Sequence, residues 1–445
     1  MKLRASKILL IIFLINTPVV SSQNTLEVII NTPDEGFENE TVEIYLKNIG
    51  FMGVVQIGEV YKFNLKNNNP TSIIIISMYH PLIEKDIDPK KDFKISILLP
   101  SRVQNLSEVI INARKKRVFE LRRLKDFEGT YVFAGKKSEV INMNESLANL
   151  AGNNSRQIYS QVAGLNIFQN DDAGLQLNIG GRGLDPNRSS NFNTRQNGYD
   201  ISADVLGYPE SYYTPPAEAI DEIQILRGAA SLQYGTQFGG LVNFVMKSAN
   251  NYQPLEVVSR NTIGSNNLYT NFTSISASKE KLKTYAFINY KKGNGFRLNS
   301  EFKSLNLFLK SEYEINNNSK ISAEITYLKY LAKQAGGLSD LMFDENPYQS
   351  NRSRNWFGVD WLLYNILYNY NFSNSSKISV SFFGLNASRN ALGFRTNRVS
   401  QIDAMEERDL IKGDFNNFGF EIRFLNNYKL FNKKAIWIVG SKYYN

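Results

Sequence analysis

The feature that most constrains the fold of this chain is a period-two alternation of apolar and polar residues running from Leu255 to the last residue. Ile321, Ala323, Ile325 and Tyr327 interleave with Ser322, Glu324 and Thr326. Ile378, Val380 and Phe382 interleave with Ser379 and Ser381, and Phe420, Ile422 and Phe424 with Glu421 and Arg423. In an extended chain, successive side chains point to opposite faces, so each stretch is a strand with one apolar and one polar face. After the N-terminus there is no apolar run of the ~18 residues that a spanning helix needs. If such a chain enters a membrane, it does so as a β-barrel, which satisfies its backbone polar groups between strands. A half-buried soluble sheet has the same local pattern.

Connector lengths favour the barrel. About nine strands are expected, near 255–264, 268–278, 282–292, 301–314, 319–332, 357–372, 376–390, 416–428 and 434–443. Connectors 279–281, 315–318, 373–375 and 429–433 are short, whereas 293–300, 333–356 and 391–415 are longer; only 265–267 breaks the rule. Outer-membrane barrels show this asymmetry, with short periplasmic turns and long extracellular loops. Tyr285, Tyr313, Trp356, Trp361, Tyr368, Trp437, Tyr443 and Tyr444 are candidates for interfacial girdles. A plugged barrel has about 22 strands, and an open edge cannot face lipid. The expectation is therefore a fragment or a truncated reading frame carrying the N-terminal part of a barrel over 248–445.

Composition removes most catalytic chemistry. The chain has no cysteine and one histidine, His80, in a turn before Pro81. No thiolate chemistry or histidine-rich metal site can be built from these, so an enzyme is not expected, nor a bound cofactor. The net charge of +9 is spread along the chain. Its one tight cluster, Arg114-Lys115-Lys116-Arg117 followed by Arg122-Arg123, reads as a solvated linker.

Lys2, Arg4 and Lys7 precede the apolar run from Ile8 to Ile15, and Val20-Ser21-Ser22 offers small residues for cleavage. Residues 1–22 are thus expected to be a secretory signal peptide, and export argues against a nucleic-acid partner. Residues 23–104 carry short strands such as Leu26-Glu27-Val28-Ile29-Ile30, Thr41-Val42-Glu43-Ile44-Tyr45-Leu46 and Ser72-Ile73-Ile74-Ile75-Ile76, separated by Asn, Pro, Gly and Asp. Their spacing predicts a small β-sandwich. It resembles the carboxypeptidase-regulatory-like domain, although the usual glycine-aspartate turn is missing. Residues 105–126 follow as a tether. Within it Leu106, Ser107, Glu108, Val109, Ile110, Ile111, Asn112 and Ala113 form a β-prone stretch. It is either the sandwich's last strand or a strand offered to a partner's sheet edge.

Residues 127–247 are dense in glycine punctuation, with short helices expected at 145–150 and 156–162 among irregular strands, an α+β pattern. The whole chain is therefore expected to be mostly β: a sandwich, an α+β domain and barrel strands. Val162-Ala163-Gly164-Leu165, Gly181-Arg182-Gly183, Ile225-Leu226-Arg227-Gly228 and Gly239-Gly240-Leu241-Val242-Asn243-Phe244-Val245 occur in that order. This ordered set resembles the plug domain of TonB-dependent outer-membrane receptors. Alanine stands in place of the family's proline at Ala163, and Ala229 stands where proline is common. The stretches from Gly183 to Arg188 and from Tyr208 to Pro216 are similar to the ferric-citrate-receptor-like branch.

The resemblance implies active uptake of a ferric chelate, ferric citrate or a siderophore, with iron present only as cargo. It implies that residues 106–113 are the TonB box, pairing with TonB, which the ExbB–ExbD complex energises, in a protein seated in outer-membrane lipid. The apical plug loop after Gly183 supplies the ligand-binding candidates Arg188, Arg195 and Gln196, with Asn187, Asn191 and Asn193 as lesser ones. Arginine suits carboxylates because its planar fork donates two parallel bonds. Arg182 and Arg227 are expected to tie plug to barrel wall by ion pairs, and Gly183, Gly228, Gly239 and Gly240 to serve the plug's backbone. The alternatives are a receptor of the same fold for an oligosaccharide or peptide, and a non-transporting surface protein or receptor remnant.

Overall fold

The computed structural model describes residues 24–33, 40–47, 49–65, 70–88, 91–100, 121–133, 137–204, 207–227, 233–234, 237, 239–249, 253–394, 398–431 and 433–445. The expected signal peptide at 1–22 and the stretch 106–113 expected as a TonB box lie outside the described residues, as does Gly228. The chain divides into two compact units, Met1–Lys115 and Lys116–Asn445.

The first unit has seven strands: β1 (Asn24–Asn31), β2 (Thr41–Leu46), β3 (Gly50–Gln56), β4 (Val60–Leu65), β5 (Thr71–Ile76), β6 (Ile83–Ile87) and β7 (Lys94–Leu98). They form two sheets, β4-β1-β7 and β3-β2-β5-β6. Alternate residues Leu26, Val28 and Ile30 of β1 and Val42, Ile44 and Leu46 of β2 are buried in one aliphatic core. Two sheets that each have one apolar face exclude water only by packing those faces together, so the alternation accounts for the sandwich. His80 is buried at its margin, with Nε2 2.9 Å from Thr32 Oγ1 and Nδ1 3.1 Å from Glu40 Oε2.

In the second unit, the plug comprises the short hairpin β8 (Phe127–Glu128) and β9 (Tyr131–Val132), then β10 (Lys137–Asn142), β11 (Leu165–Phe168), β12 (Asn178–Gly181), β13 (Phe192–Gln196), β14 (Tyr199–Asp200), β15 (Ile220–Arg227) and β16 (Gly240–Met246). Its central sheet runs β10-β15-β16-β13-β14, with β13 parallel to β16. The helix expected at 145–150 is not formed; Met143–Glu145 is a single 3-10 turn. Asn142, Ser146 and Asn149 explain this, because their side chains accept from the backbone N–H groups of Asn144, Ala148 and Gly152 and compete with helical bonding. The second helix is only Ser155–Ile158, capped by the Asn154 side chain.

Nine strands follow: β17 (Leu255–Gly264), β18 (Leu268–Lys279), β19 (Leu282–Gly293), β20 (Phe302–Asn316), β21 (Ser319–Lys333), β22 (Trp356–Asn371), β23 (Ser376–Leu392), β24 (Leu410–Leu430) and β25 (Lys433–Tyr444). They pair antiparallel in sequence order as one sheet, like a barrel wall. Long connectors at 294–301, 334–355 and 393–409 lie at one end together with the short connector 265–267, and four connectors of two to four residues lie at the other. β24 begins six residues earlier than the alternation predicts. Its outward residues Leu410, Lys412, Asp414 and Asn416 are mostly polar, so the apolar beat that marks a lipid-facing strand starts only at Phe418. No helix among the described residues is long and apolar enough to cross a membrane.

Residues Ser322, Glu324, Thr326, Leu328 and Tyr330 of β21 are buried against the plug, while Ile321, Ala323, Ile325 and Leu331 are exposed on the outer face. The polar half of the alternation therefore lines the lumen. Two girdle candidates belong inside instead: Trp361 is 0% and Tyr285 4% exposed, both packed in the core that joins plug and wall. Tyr444 also turns inward, its hydroxyl 2.5 Å from Asn417 Nδ2. Tyr313, Trp437 and Tyr443 stay exposed, as a girdle requires.

Candidate functional site

The plug's residues nearest the long-connector end of the barrel wall form the candidate site. The turn after β12 starts with Arg182 and Gly183, both at positive φ (56° and 81°). It then delivers Asn187 and Arg188. Arg188 itself adopts φ 60°, held there because its N–H donates to Asn178 Oδ1 at 2.9 Å and its carbonyl accepts from Ile179 N at 2.8 Å. Arg188 Nη1 donates to Glu210 Oε2 (2.6 Å) and to the hydroxyls of Tyr212 (2.9 Å) and Tyr208 (3.3 Å). Its guanidinium carbon lies 5.3 Å from the Tyr212 ring centre and 5.8 Å from that of Phe357, the second residue of β22. Burial disfavours the charge, but Tyr212 and Glu210 outweigh it and hold the guanidinium above its ordinary range. Burial, with the hydrogen bond its hydroxyl shares with Tyr208, likewise pushes the Tyr212 hydroxyl well up.

This cluster is fixed to the wall by aromatic contacts. Tyr212 meets Trp361 edge-on at 5.7 Å, Tyr208 stacks on Phe415 at 5.7 Å, and Arg389 of β23 reaches the Tyr208 hydroxyl at 3.4 Å. Beside it, Asp171 Oδ1 accepts from the N–H groups of Ala173 and Leu175, both at 2.9 Å, and shapes the apical turn 169–175. Asp172 Oδ2 accepts from Phe296 N in the 294–301 connector at 2.8 Å. A cavity of about 520 Å³ opens there, lined by Asn170, Asp171, Asp172, Phe296, Arg297 and Gly336 among others. Arg297 is committed to the carbonyls of Gln349, Gly336 and Ala335, and so braces the loop. The 169–175 turn and the 294–301 connector thus set carboxylates and hydrogen-bond donors around a concave space next to the Arg188 cluster, an arrangement suited to polar recognition. Among the described residues, no His, Asp and Glu cluster has the geometry to hold a metal ion.

The structure divides the ligand-binding candidates. Arg188, with Asn187 and Asn191 beside it, stands at the apex; Asn191 is half-buried and donates to the Asp185 carbonyl at 3.0 Å. Asn193, Arg195 and Gln196 do not belong to the loop: they sit on β13, at 2%, 1% and 0% exposure. Arg195 donates to Asn193 Oδ1 (2.7 Å) and to the carbonyls of Gly198 (2.5 Å) and Tyr234 (3.3 Å), and lies 3.9 Å from Asp200. Gln196 Nε2 reaches Glu324 (3.2 Å) and Thr326 (3.0 Å) on β21, and its oxygen accepts from Tyr213. Gln196 is polar toward a polar wall, whereas Asn193, Thr194 and Arg195 satisfy one another and Asp200, Ser202 and Gly198 within the plug, so a buried strand carries a run that a local reading mistakes for a loop.

The two arginines expected to bridge plug and wall do not. Arg227 pairs with Glu139 at 2.9 Å and donates to the Ala163 carbonyl at 2.6 Å, both within the plug. Arg182 is exposed and makes no ion pair among the described residues. The bridging role falls to Gln196, to Asn197, which donates to Glu324 Oε2 at 2.6 Å, and to Lys291, whose Nζ is 3.3 Å from the Ala173 carbonyl. Gly239 and Gly240 do serve the backbone. A Cβ on Gly240 would lie 2.1 Å from the Leu226 carbonyl at φ 118°, and one on Gly239 would lie 2.6 Å from the Asn191 carbonyl. Glu210, Tyr208 and Tyr212 were visible only as part of a resemblance; their spacing alone signals no pairing with Arg188.

Residues 136–241 match the family model of the TonB-dependent Receptor Plug Domain. Among solved structures, the ferric citrate transporter FecA in its unliganded form is similar at TM-score 0.60 and 21% identity, over 72% of this chain and 48% of that one. The ferric preacinetobactin receptor BauA from Acinetobacter baumannii is similar at TM-score 0.55 and 14% identity, over 69% and 46%. The copper transporter OprC is similar at TM-score 0.53 and 13% identity, over 74% and 47%. The chain spans about half the length of these structures. Residues 136–241 are thus similar to a TonB-dependent receptor plug, and plug and wall together have the fold of these receptors and transporters.

Proposed function

We propose that this chain acts as, or as part of, a TonB-dependent outer-membrane receptor for active uptake of a ferric chelate of the citrate or siderophore type. The observation that carries the reading is the apical cluster of Arg188, Glu210, Tyr208 and Tyr212, seated on the lumen face of the wall at its long-connector end. A chelate carrying carboxylate, hydroxamate or catecholate oxygens needs such donors, held rigid by packing. Asn187 and Asn191 are the neighbouring contacts in this reading, while Arg195, Gln196 and Asn193 support the apex from beneath. Residues 1–22 export the chain, and residues 106–113 add as a strand to TonB, driven by ExbB–ExbD and the proton gradient. The N-terminal sandwich is read as a carboxypeptidase-regulatory-like domain. A transported chelate requires neither a resident cofactor nor catalysis.

The test is uptake of radiolabelled iron chelates by cells expressing the chain under iron limitation. Deleting residues 106–113 should abolish uptake while leaving surface chelate binding intact. Arg188→Ala should weaken binding about tenfold, the loss of one charge-assisted bond. Uptake that survives the deletion excludes TonB coupling; oligosaccharide or peptide uptake without iron-chelate binding reassigns the cargo.

A further inference from the structure

On the side of the short connectors, plug and wall meet through a different set of contacts. The β8–β9 hairpin lies against two neighbouring wall residues. Thr130 Oγ1 is 2.7 Å from Ser379 Oγ, and Ser379 is the cross-strand partner of Arg423 on β24. The guanidinium carbon of Arg423 sits 4.1 Å from the ring centre of Tyr131 in the hairpin and 5.1 Å from that of Tyr234. The two rings stack on each other at 5.6 Å. Arg423 is 4% exposed. Glu421 on the same strand pairs with its Nε and Nη2, while Nη1 makes no hydrogen bond among the described residues. A guanidinium stripped of water with ring faces in its place is the setting in which cation–π attraction is strongest. Gln233 closes the other side, donating to the Val132 carbonyl at 2.7 Å and accepting from Val132 N at 3.4 Å.

Behind the hairpin lies a cavity of about 340 Å³ between plug and wall. The hairpin contributes Glu128, Thr130 and Tyr131 to it, and the wall contributes Ser322, Glu324 and Asn365. Lys310, Glu312, Glu324 and Asn365 line it on the wall side, opposite Phe133, Leu226 and Leu241 of the plug, so water entering it finds hydrogen-bond partners along the wall.

We propose that Arg423 is a latch: by gripping Tyr131 and Tyr234 it holds the β8–β9 hairpin shut over this cavity, and release of the two rings opens a route along the barrel wall. Arg423 is a positioning residue, acting through the tyrosines. What releases it rests on the reading of residues 106–113 as the pulled segment, since that tether runs directly into the hairpin; the grip itself belongs to the resting protein.

The cysteine-free chain allows a direct test. Ser322→Cys places a single thiol in the cavity, on the inner face of β21. Labelling by a bulky, membrane-impermeant maleimide from the periplasmic side is measured on the full chain in the outer membrane, without an energy source. Arg423→Leu and Tyr131→Leu should each speed labelling about tenfold, whereas Arg423→Lys and Tyr131→Phe, which keep a cation and a ring face, should stay within about twofold of the parent. Labelling of Arg423→Leu at the parent rate, or of Arg423→Lys as fast as Arg423→Leu, overturns the latch. Should Arg423→Leu fail to reach the membrane, Tyr131→Leu carries the test alone, and a parent rate there overturns the proposal. Energising the cells separates the two readings. A rise that requires residues 106–113 supports both; fast variants with no response to energy leave the latch standing and sink the pulled segment.

Discussion

The sandwich of the first unit and the plug of the second are both small β units, yet they are held together differently. The sandwich core is hydrocarbon: Leu26, Val28, Ile30, Val42, Ile44 and Leu46 meet Ile73, Ile75 and Ile97. The plug has an apolar core too, but its β13 buries Asn193, Thr194, Arg195 and Gln196 in succession. A dry core is stabilised by area removed from water. A buried charged network comes close to break-even against desolvation, and its worth is geometric specificity. The plug's contacts with the wall repeat this contrast from end to end: aromatic at the apex, through Phe357, Trp361 and Phe415, and polar lower down, through Glu324, Thr326 and Ser379. Where the plug meets its wall by hydrogen bonds, those groups can part into water at little cost, whereas its apolar contacts with the wall cannot. The sandwich has no such option.

Substitutions can break or sharpen this comparison. Arg195→Ala should cost the most, about 4 kcal/mol, because it leaves Asp200 and Asn193 buried without their partner. Arg195→Met, similar in volume, should cost far less if a companion change neutralises Asp200. Amide hydrogen exchange across β13 and β16 measures both, and equal losses would show that the guanidinium's own hydrogen bonds, rather than the carboxylate left behind, matter there. Ile44→Ala in the sandwich should cost about 3 kcal/mol through a cavity that a two-sheet core cannot collapse, read by urea unfolding of the first unit expressed alone. Gly240→Ala should cost about 2 kcal/mol, from its positive φ and the Leu226 carbonyl, again by exchange across β15 and β16.

The smallest effect is a pH slope. Burial holds the Asp171 carboxyl above its ordinary range, against the opposing pull of the N–H groups of Leu175, Ala173 and Gln176. Between its unfolded and folded values the folded chain binds the extra proton, so this group's contribution is full below the unfolded value and falls as pH rises through the folded one. Asp171→Asn keeps the Oδ1 acceptor and removes the charge. Its stability relative to the parent should therefore grow as pH rises above about 4, the usual carboxylate range. Melting curves at acid and neutral pH that shift in parallel would refute this.

The fold was legible where the physics is local. Nine strands, their order and the inward face of β21 follow from a two-residue period that any segment shows by itself. The start of β24 was missed where the strand continues past the apolar band and its outward residues turn polar. The helix expected at 145–150 was lost to side chains that bond their own backbone. Girdle membership failed for Trp361 and Tyr285 because an aromatic near a strand end looks the same whether it faces lipid or a plug.

At the apex, the sequence alone determined that a polar, arginine-bearing turn follows Gly183, since glycines, asparagines and Pro186 force the chain to turn there. Which arginine stands open was decided only by the tertiary structure. Arg188 and Arg195 are seven residues apart in similar polar company, yet one meets Glu210 and Tyr212 at the rim of the lumen while the other is sealed beneath the parallel pairing of β13 with β16. The same limit hid Arg423 and Tyr131, almost three hundred residues apart in sequence and 4.1 Å apart in space. Period and turn chemistry are written along the chain; the partner of a buried charge depends on which distant strand the fold brings to it, and no local pattern encodes that.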